Sequence, residues 1–139
     1  MMHTTHNEEE TKKVAEAFAM TLKGGEVIFL FGDLGMGKTT FVRGAAEYFG
    51  FLDPVRSPSF TIVNRYLINT PGLRQILHVD FYRIEDPSEI WPLALEEEVG
   101  QPDTMTFIEW PEKAEGNTHP ATHKIYFTST DGVHHISIQ

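Results

Sequence analysis

At 139 residues, with no cysteine, 11 Lys plus Arg, 20 Asp plus Glu and a formal charge of −9, the chain has the size of one compact domain. Such a length buries roughly 70% of the unfolded surface, so a chain that is 40% hydrophobic can build a core without a disulfide or metal staple. The lack of cysteine excludes disulfide frameworks, thiol nucleophiles and cysteine zinc sites, and the longest apolar run, Val27 to Phe31, falls far short of the ~20 residues that a membrane helix needs.

Asn7 and Glu10 have capping-box spacing, and Val14, Phe18 and Leu22 recur at i, i+4 and i+8, which predicts a helix over 8–23 that Gly24 and Gly25 stop. Glu26 to Phe31 is short, apolar and bounded by glycines, the pattern of a strand buried on both faces. After Gly32 to Gly37, the positions Phe41, Val42, Ala45, Ala46 and Phe49 predict a second helix closed by Gly50. Phe60 to Ile68 and Gln75 to Phe81 read as an antiparallel pair joined through Asn69 to Gly72. Asp86-Pro87-Ser88-Glu89 opens a short helix that Pro92 limits. Met105 to Glu109 is a further strand, and Lys124 to Thr128 with Val133 to Ile138 flank the hairpin signal Asp131-Gly132. The sum is an α/β chain: a single P-loop NTPase-like domain over residues 1–139, with a mixed parallel and antiparallel sheet flanked by helices.

Gly32-Asp33-Leu34-Gly35-Met36-Gly37-Lys38-Thr39 satisfies the Walker A pattern of glycine, four residues, then Gly-Lys-Ser/Thr. Glycines allow torsions closed to other residues, so successive N–H groups can turn toward phosphate oxygens at a helix N-terminus. Lys38 is placed to reach the β- and γ-phosphates and the Thr39 hydroxyl to ligate Mg²⁺. The motif lies between a buried strand and an amphipathic helix, the context that supports it. Ile76-Leu77-His78-Val79-Asp80 reads as a strand ending in a carboxylate, so Asp80 is the first candidate for the second acid near the metal; Glu109, ending another strand, is the next.

These residues, in order, resemble the bacterial TsaE family, ATPases of tRNA threonylcarbamoyladenosine biosynthesis. The resemblance rests on Asn7 to Thr11, Gly32 to Phe41, Ser57-Pro58-Ser59-Phe60-Thr61, His78-Val79-Asp80-Phe81-Tyr82-Arg83 and Glu109-Trp110-Pro111-Glu112. It implies ATP and Mg²⁺ as ligands, with Thr39 and Glu109 on the metal, Lys38 and Asp80 in hydrolysis, and a switch-like loop over 57–61. It implies nucleotide contacts from Thr11, Leu34, Gly35, Met36, Gly37, Lys38, Thr39, Thr40 and Glu112. The implied partners are the threonylcarbamoyl transferase subunit and its inactive paralogue, with tRNA met only indirectly. The chain departs from the family's usual alanine at Met36, threonine at Ser59 and Leu-Gly-Leu at Leu93-Ala94-Leu95.

Other readings are weaker. No Asn-Lys-x-Asp guanine motif appears, which disfavours a regulatory GTPase. A small-molecule P-loop kinase would carry an arginine-rich lid, whereas the stretch after Asp86 is acidic. A nucleotide-gated binding module with little turnover is the alternative from another class. His119 and His123 are four apart, but Pro120 interrupts any helix through them, so zinc is not expected. Arg83, ahead of Arg56 and Arg65, is the candidate arginine finger, and Trp91 is expected to be a packing residue.

The charge is uneven. Residues 1–70 hold 7 basic and 8 acidic side chains and 71–139 hold 4 and 12, so the halves carry −1 and −8. A direct nucleic-acid grip or a membrane surface is therefore not expected, and the segment from Glu85 to Glu115, with ten carboxylates and one lysine, reads as a solvated face or a docking face for a basic protein. The N-terminus shows no basic-then-apolar leader, which gives a cytoplasmic expectation.

Overall fold

The computed structural model describes residues 1–58 and 60–139. Among the described residues, seven strands form one sheet: β1 (Met2–Thr5), β2 (Val27–Phe31), β3 (Val63–Thr70), β4 (Leu73–Asp80), β5 (Thr104–Glu109), β6 (His123–Thr130) and β7 (Val133–Ile138). Two α-helices, α1 (Glu8–Ala19) and α2 (Lys38–Tyr48), accompany them. The spatial order is β1-β7-β6-β2-β5-β4-β3. The centre, β6-β2-β5-β4, is parallel; β3 closes one flank antiparallel to β4, and β7 and then β1 close the other. The expected mixed α/β sheet is therefore present.

A parallel strand is covered on both faces, and the central strands are apolar along their length for that reason. All six residues of β5 are buried, as are Val27, Ile28 and Leu30 of β2. The two covers differ. On one face, α1 and α2 pack Phe18, Phe41, Val42 and Ala45 against Ile28, Leu30, Ile76 and Phe107. On the other, three 3-10 segments, Pro87–Leu93, Leu95–Glu97 and Pro111–Ala114, supply Ile90, Leu95 and Ala114 against Leu77, Val79 and Ile108. The helix predicted to follow Asp86 keeps its start, because Asp86 accepts from Ser88 N–H and forms a capping box with Glu89. It winds as a 3-10 helix and ends at Ala94, in the left-handed region, since Pro92 removes a donor from its last turn.

Local differences from the sequence reading have equally local causes. The Asn7 side chain accepts from Glu10 N–H as expected, but the Glu10 carboxylate accepts from His6 N–H, one residue before the cap (3.1 Å). Helix α1 ends at Ala19 rather than 23; the Thr21 hydroxyl donates to Phe18 C=O (2.7 Å), competing with continued helix. Strand β3 starts at Val63, not Phe60, because Ile62 has φ 69° and turns the chain. Strand β1 was not anticipated: four residues, two of them threonine, carry too little periodicity to declare themselves. No described helix is long and apolar enough to cross a membrane.

Candidate nucleotide site

The site lies where three parallel strands end. Asp80 of β4 pairs in register with Glu109 of β5, and Glu109 pairs with Leu30 of β2, immediately before the glycine loop. That is the edge of a parallel sheet at which ligands gather. Side chains alternate along a strand, so His78 and Asp80 share the face on which Glu109 and α2 meet. The loop delivers α2 with Gly37 at its N-cap, φ 98°, and with no side chain capping it. A residue with a Cβ is strained at that φ. Uncapped first-turn N–H groups are the donors an anion can use.

The polar groups form a connected set. Glu109 Oε2 accepts from Thr39 Oγ1 at 3.4 Å and lies 2.5 Å from His78 Nε2. His78 Nδ1 is 2.8 Å from the Tyr66 hydroxyl, which also reaches Arg56 C=O at 3.2 Å. With Nε2 protonated, the ring donates to Glu109 and Nδ1 accepts from Tyr66, whose one proton then serves either His78 or Arg56. His78, Glu109 and Asp80 are 0%, 3% and 3% exposed. Asp80 accepts from Tyr82 N–H at 2.8 Å and from the Ser57 hydroxyl at 3.4 Å. Burial, reinforced by the charge of Glu109, pushes the Asp80 carboxyl above the ordinary range. Burial also lowers the Lys38 ammonium, against the opposing pull of Glu109 and Asp80. Lys38 donates to Gly32 C=O and lies 4.4 Å from the ring centroid of Trp110, itself held at φ 56°.

A cleft of about 450 Å³ gathers Thr11, Leu34, Gly35, Gly37, Lys38, Thr39, Thr40, Asp80 and Glu109 from the expected set, a size within the roughly 300–1,000 Å³ of small-molecule sites. Met36 packs against the helix-side core instead, and Glu112 is exposed on the Pro111–Ala114 segment, where its charge acts on Lys38. Sequence reasoning missed His134, which lines the cleft from β7 with a buried, unpartnered Nδ1. It also missed Tyr66 and Trp110, and it read Asn7, another lining residue, only as a cap. No spacing links these positions to the loop; the sheet order does. Of the switch-like loop, Ser57 lines the cleft, and Ser59 lies outside the described residues. Arg65 is bound twice over by Glu98, and Arg83 stacks on Phe60 at 4.3 Å. Neither lines the cleft.

The donor chemistry fits a nucleotide with a hard divalent cation. A threonine hydroxyl and two carboxylates are all-oxygen ligands of the kind Mg²⁺ takes, while Lys38 and the helix N-terminus suit phosphate. The family model for "Threonylcarbamoyl adenosine biosynthesis protein TsaE" matches residues 5–136. The chain belongs to the TsaE family. A tRNA threonylcarbamoyladenosine biosynthesis protein TsaE from Rickettsia bellii is 44% identical over 108 residues, 77% of this chain and 72% of that one. The protein of the same name from Bacillus subtilis is 48% identical over 85 residues, 61% of this chain and about half (52%) of that one. The crystal structure of Bacillus subtilis YdiB aligns with a TM-score of 0.80 at 32% identity, covering 99% of this chain and 83% of that one.

Two features distinguish this TsaE-family chain from the sequence expectation. Ala94, where the resemblance led to glycine, adopts φ 51°, a left-handed conformation that strains a residue with a Cβ. Trp91, expected to pack, is 64% exposed. It stands on the short 3-10 segment Pro87–Leu93.

Proposed function

We propose that the chain is the ATP-binding and ATP-hydrolysing member of the assembly that installs threonylcarbamoyl on adenosine next to the tRNA anticodon, and that residues 1–139 act as one P-loop ATPase domain. The observation that carries this reading is the in-register pairing of Asp80 and Glu109 at the strand ends beside Lys38 and Thr39. Family membership supports the pathway. Thr11, the backbone of Leu34 to Thr40 and Glu112 hold the nucleotide in this reading, with His134 added from β7. Thr39 and Glu109 would hold Mg²⁺, which when bound supplies charge neutralisation for the β- and γ-phosphate oxygens.

The chain's own groups account for the rest. Lys38 leaves Gly32 C=O to meet phosphate oxygen, a charge-assisted contact stronger than the one it gives up. Asp80, at the strand end facing the cleft, orients the attacking water. An oxygen–phosphorus bond forms to that water as the bond from the γ-phosphorus to the bridging oxygen breaks, and the proton leaves with the product phosphate. The partners are the threonylcarbamoyl transferase subunit and its inactive paralogue, and contact with tRNA passes through them. The test is a reconstituted tRNA-modification reaction, with and without this protein and ATP, alongside phosphate release. Lys38→Ala and Asp80→Ala should each lower turnover by at least about a hundredfold. Wild-type rates in both variants, or modification that ignores this protein, would refute the reading.

A further inference from the structure

We propose that the apolar groove on the 3-10-covered face of the sheet docks a basic polypeptide segment that inserts one apolar side chain. The groove encloses about 330 Å³, with Ile90, Trp91, Leu95, Val99 and Ile108 among its walls and residues 116–119 along one side. Its existence follows from the fold. A parallel sheet needs cover on both faces, and three segments of seven, three and four residues leave a gap over β5, through which Ile108 is reached. Trp91 stands at that gap 64% exposed. An exposed tryptophan beside a concave apolar surface has the composition of an interface anchor point.

The charge around the groove decides its occupant. Glu85, Asp86, Glu89, Glu96, Glu97 and Glu115 are exposed on the segments that form or flank it, and Glu96 lines it directly. Among the described residues none of the six has a cationic partner within ion-pair distance. The nearby Lys113 is turned toward the Tyr82 ring, 5.9 Å away. RNA and anionic lipid meet repulsion here. A second copy would bring the same negative rim, and a small apolar metabolite would leave the carboxylates unused. A segment rich in Lys and Arg around a Leu, Ile, Phe or Trp satisfies both halves of the site. The groove is separate from the nucleotide cleft, so this inference stands or falls independently of ATP hydrolysis.

The test begins with selection of random dodecapeptides against the full chain, followed by affinities of the enriched peptides measured by fluorescence anisotropy. The expected winners are basic with one large apolar residue. Trp91→Ala and the charge reversal Glu96→Lys/Glu97→Lys should each weaken them at least about tenfold, as should truncating the peptide's apolar residue to Ala. Raised salt should weaken binding by screening. Binding of an ATP analogue should stay unchanged in both variants, which separates docking from the nucleotide reading and verifies their fold. The proposal is overturned if no peptide enriches, if the winners are neutral or acidic, if the variants bind equally well, or if sedimentation shows a Trp91-dependent dimer.

Discussion

Replacing His78 by Phe tests whether the buried chain from Tyr66 to Glu109 holds the site together. The imidazole is fully buried, and a phenyl ring of similar volume creates little cavity, so packing alone should cost under about 1.5 kcal/mol. The polar loss is larger. Glu109, 3% exposed, loses its 2.5 Å partner and keeps only the 3.4 Å contact to Thr39. Tyr66 retains Arg56 C=O at 3.2 Å and adds little. Losing a buried hydrogen bond to a charged group costs about 1.5–3 kcal/mol, so with about 1 kcal/mol of packing the total for His78→Phe should be about 2.5–4 kcal/mol, or roughly 9–14 °C in Tm for a chain of this size. In a Glu109→Leu background no carboxylate is stranded, and the same substitution should cost about 1 kcal/mol. Urea unfolding of the four chains at one pH gives the coupling by difference. A coupling of about 1.5–3 kcal/mol is expected; additivity within about 0.5 kcal/mol would show that His78 merely fills space.

Three smaller effects follow from the same geometry. Ala94→Gly relieves a left-handed alanine at φ 51° and, after the entropy that glycine adds to the unfolded chain, should stabilise by about 0.5–1 kcal/mol; a fall in Tm would contradict the strain. Gly44→Ala should destabilise by about 1 kcal/mol despite alanine's better helix propensity, because a Cβ there lies 2.9 Å from Lys12 Cα, Lys12 C=O and the Ala15 methyl where α1 and α2 touch; stability equal to wild type would mean the helices part freely. The Arg65 guanidinium holds the Glu98 carboxyl below the ordinary range. Its folded pKa is thus depressed, so the stability it contributes is present above the unfolded pKa and lost as pH falls through the folded one. Both side chains are partly exposed, so Glu98→Gln should cost at most about 1 kcal/mol at neutral pH. That gap should close on acidification, and a gap constant with pH in urea titrations would remove the ion pair as its cause.

Much of this was legible in the sequence because it is local. The glycine loop, the cap at Asn7, the apolar run of β2 and the Asp131-Gly132 turn each declare themselves within a few residues. Asp80 and Glu109 were legible as strand ends, since an apolar run that stops at a carboxylate is a local pattern too. What stayed hidden depends on strand order. His134 lines the cleft although β7 pairs only with β6 and β1, and nothing in its own neighbourhood points to the glycine loop. His78 is a second-tier candidate in the sequence, through the His78-Val79-Asp80 stretch, but its partner Glu109 shows only in the register, and Tyr66 enters only through its bond to His78. The failure at Trp91 has another origin. A tryptophan near Ile90 and Leu95 implies packing only if a long helix carries it, and Pro92 and Ala94 confine that segment to a short 3-10 helix.

The uneven charge takes on a different meaning once the carboxylates of 85–115 are followed individually. Glu109 lies in the nucleotide cleft, and the charge of Glu112 acts on Lys38. Glu98 and Asp103 are held by Arg65 and Arg74, at 2.7 and 3.6 Å. Asp86 and Glu89 cap the first 3-10 segment. Six of the ten therefore have work inside the chain, and the four left, Glu85, Glu96, Glu97 and Glu115, stand on or next to the 3-10 segments of the grooved face, with Glu96 in the groove wall. A coat serving only solubility has no reason to concentrate there, because solubility responds to net charge wherever it sits. Concentrated charge around an exposed tryptophan costs mutual repulsion in the isolated chain. Cations brought by a bound partner relieve that repulsion, which is why the acidic half is better explained by docking than by solvation.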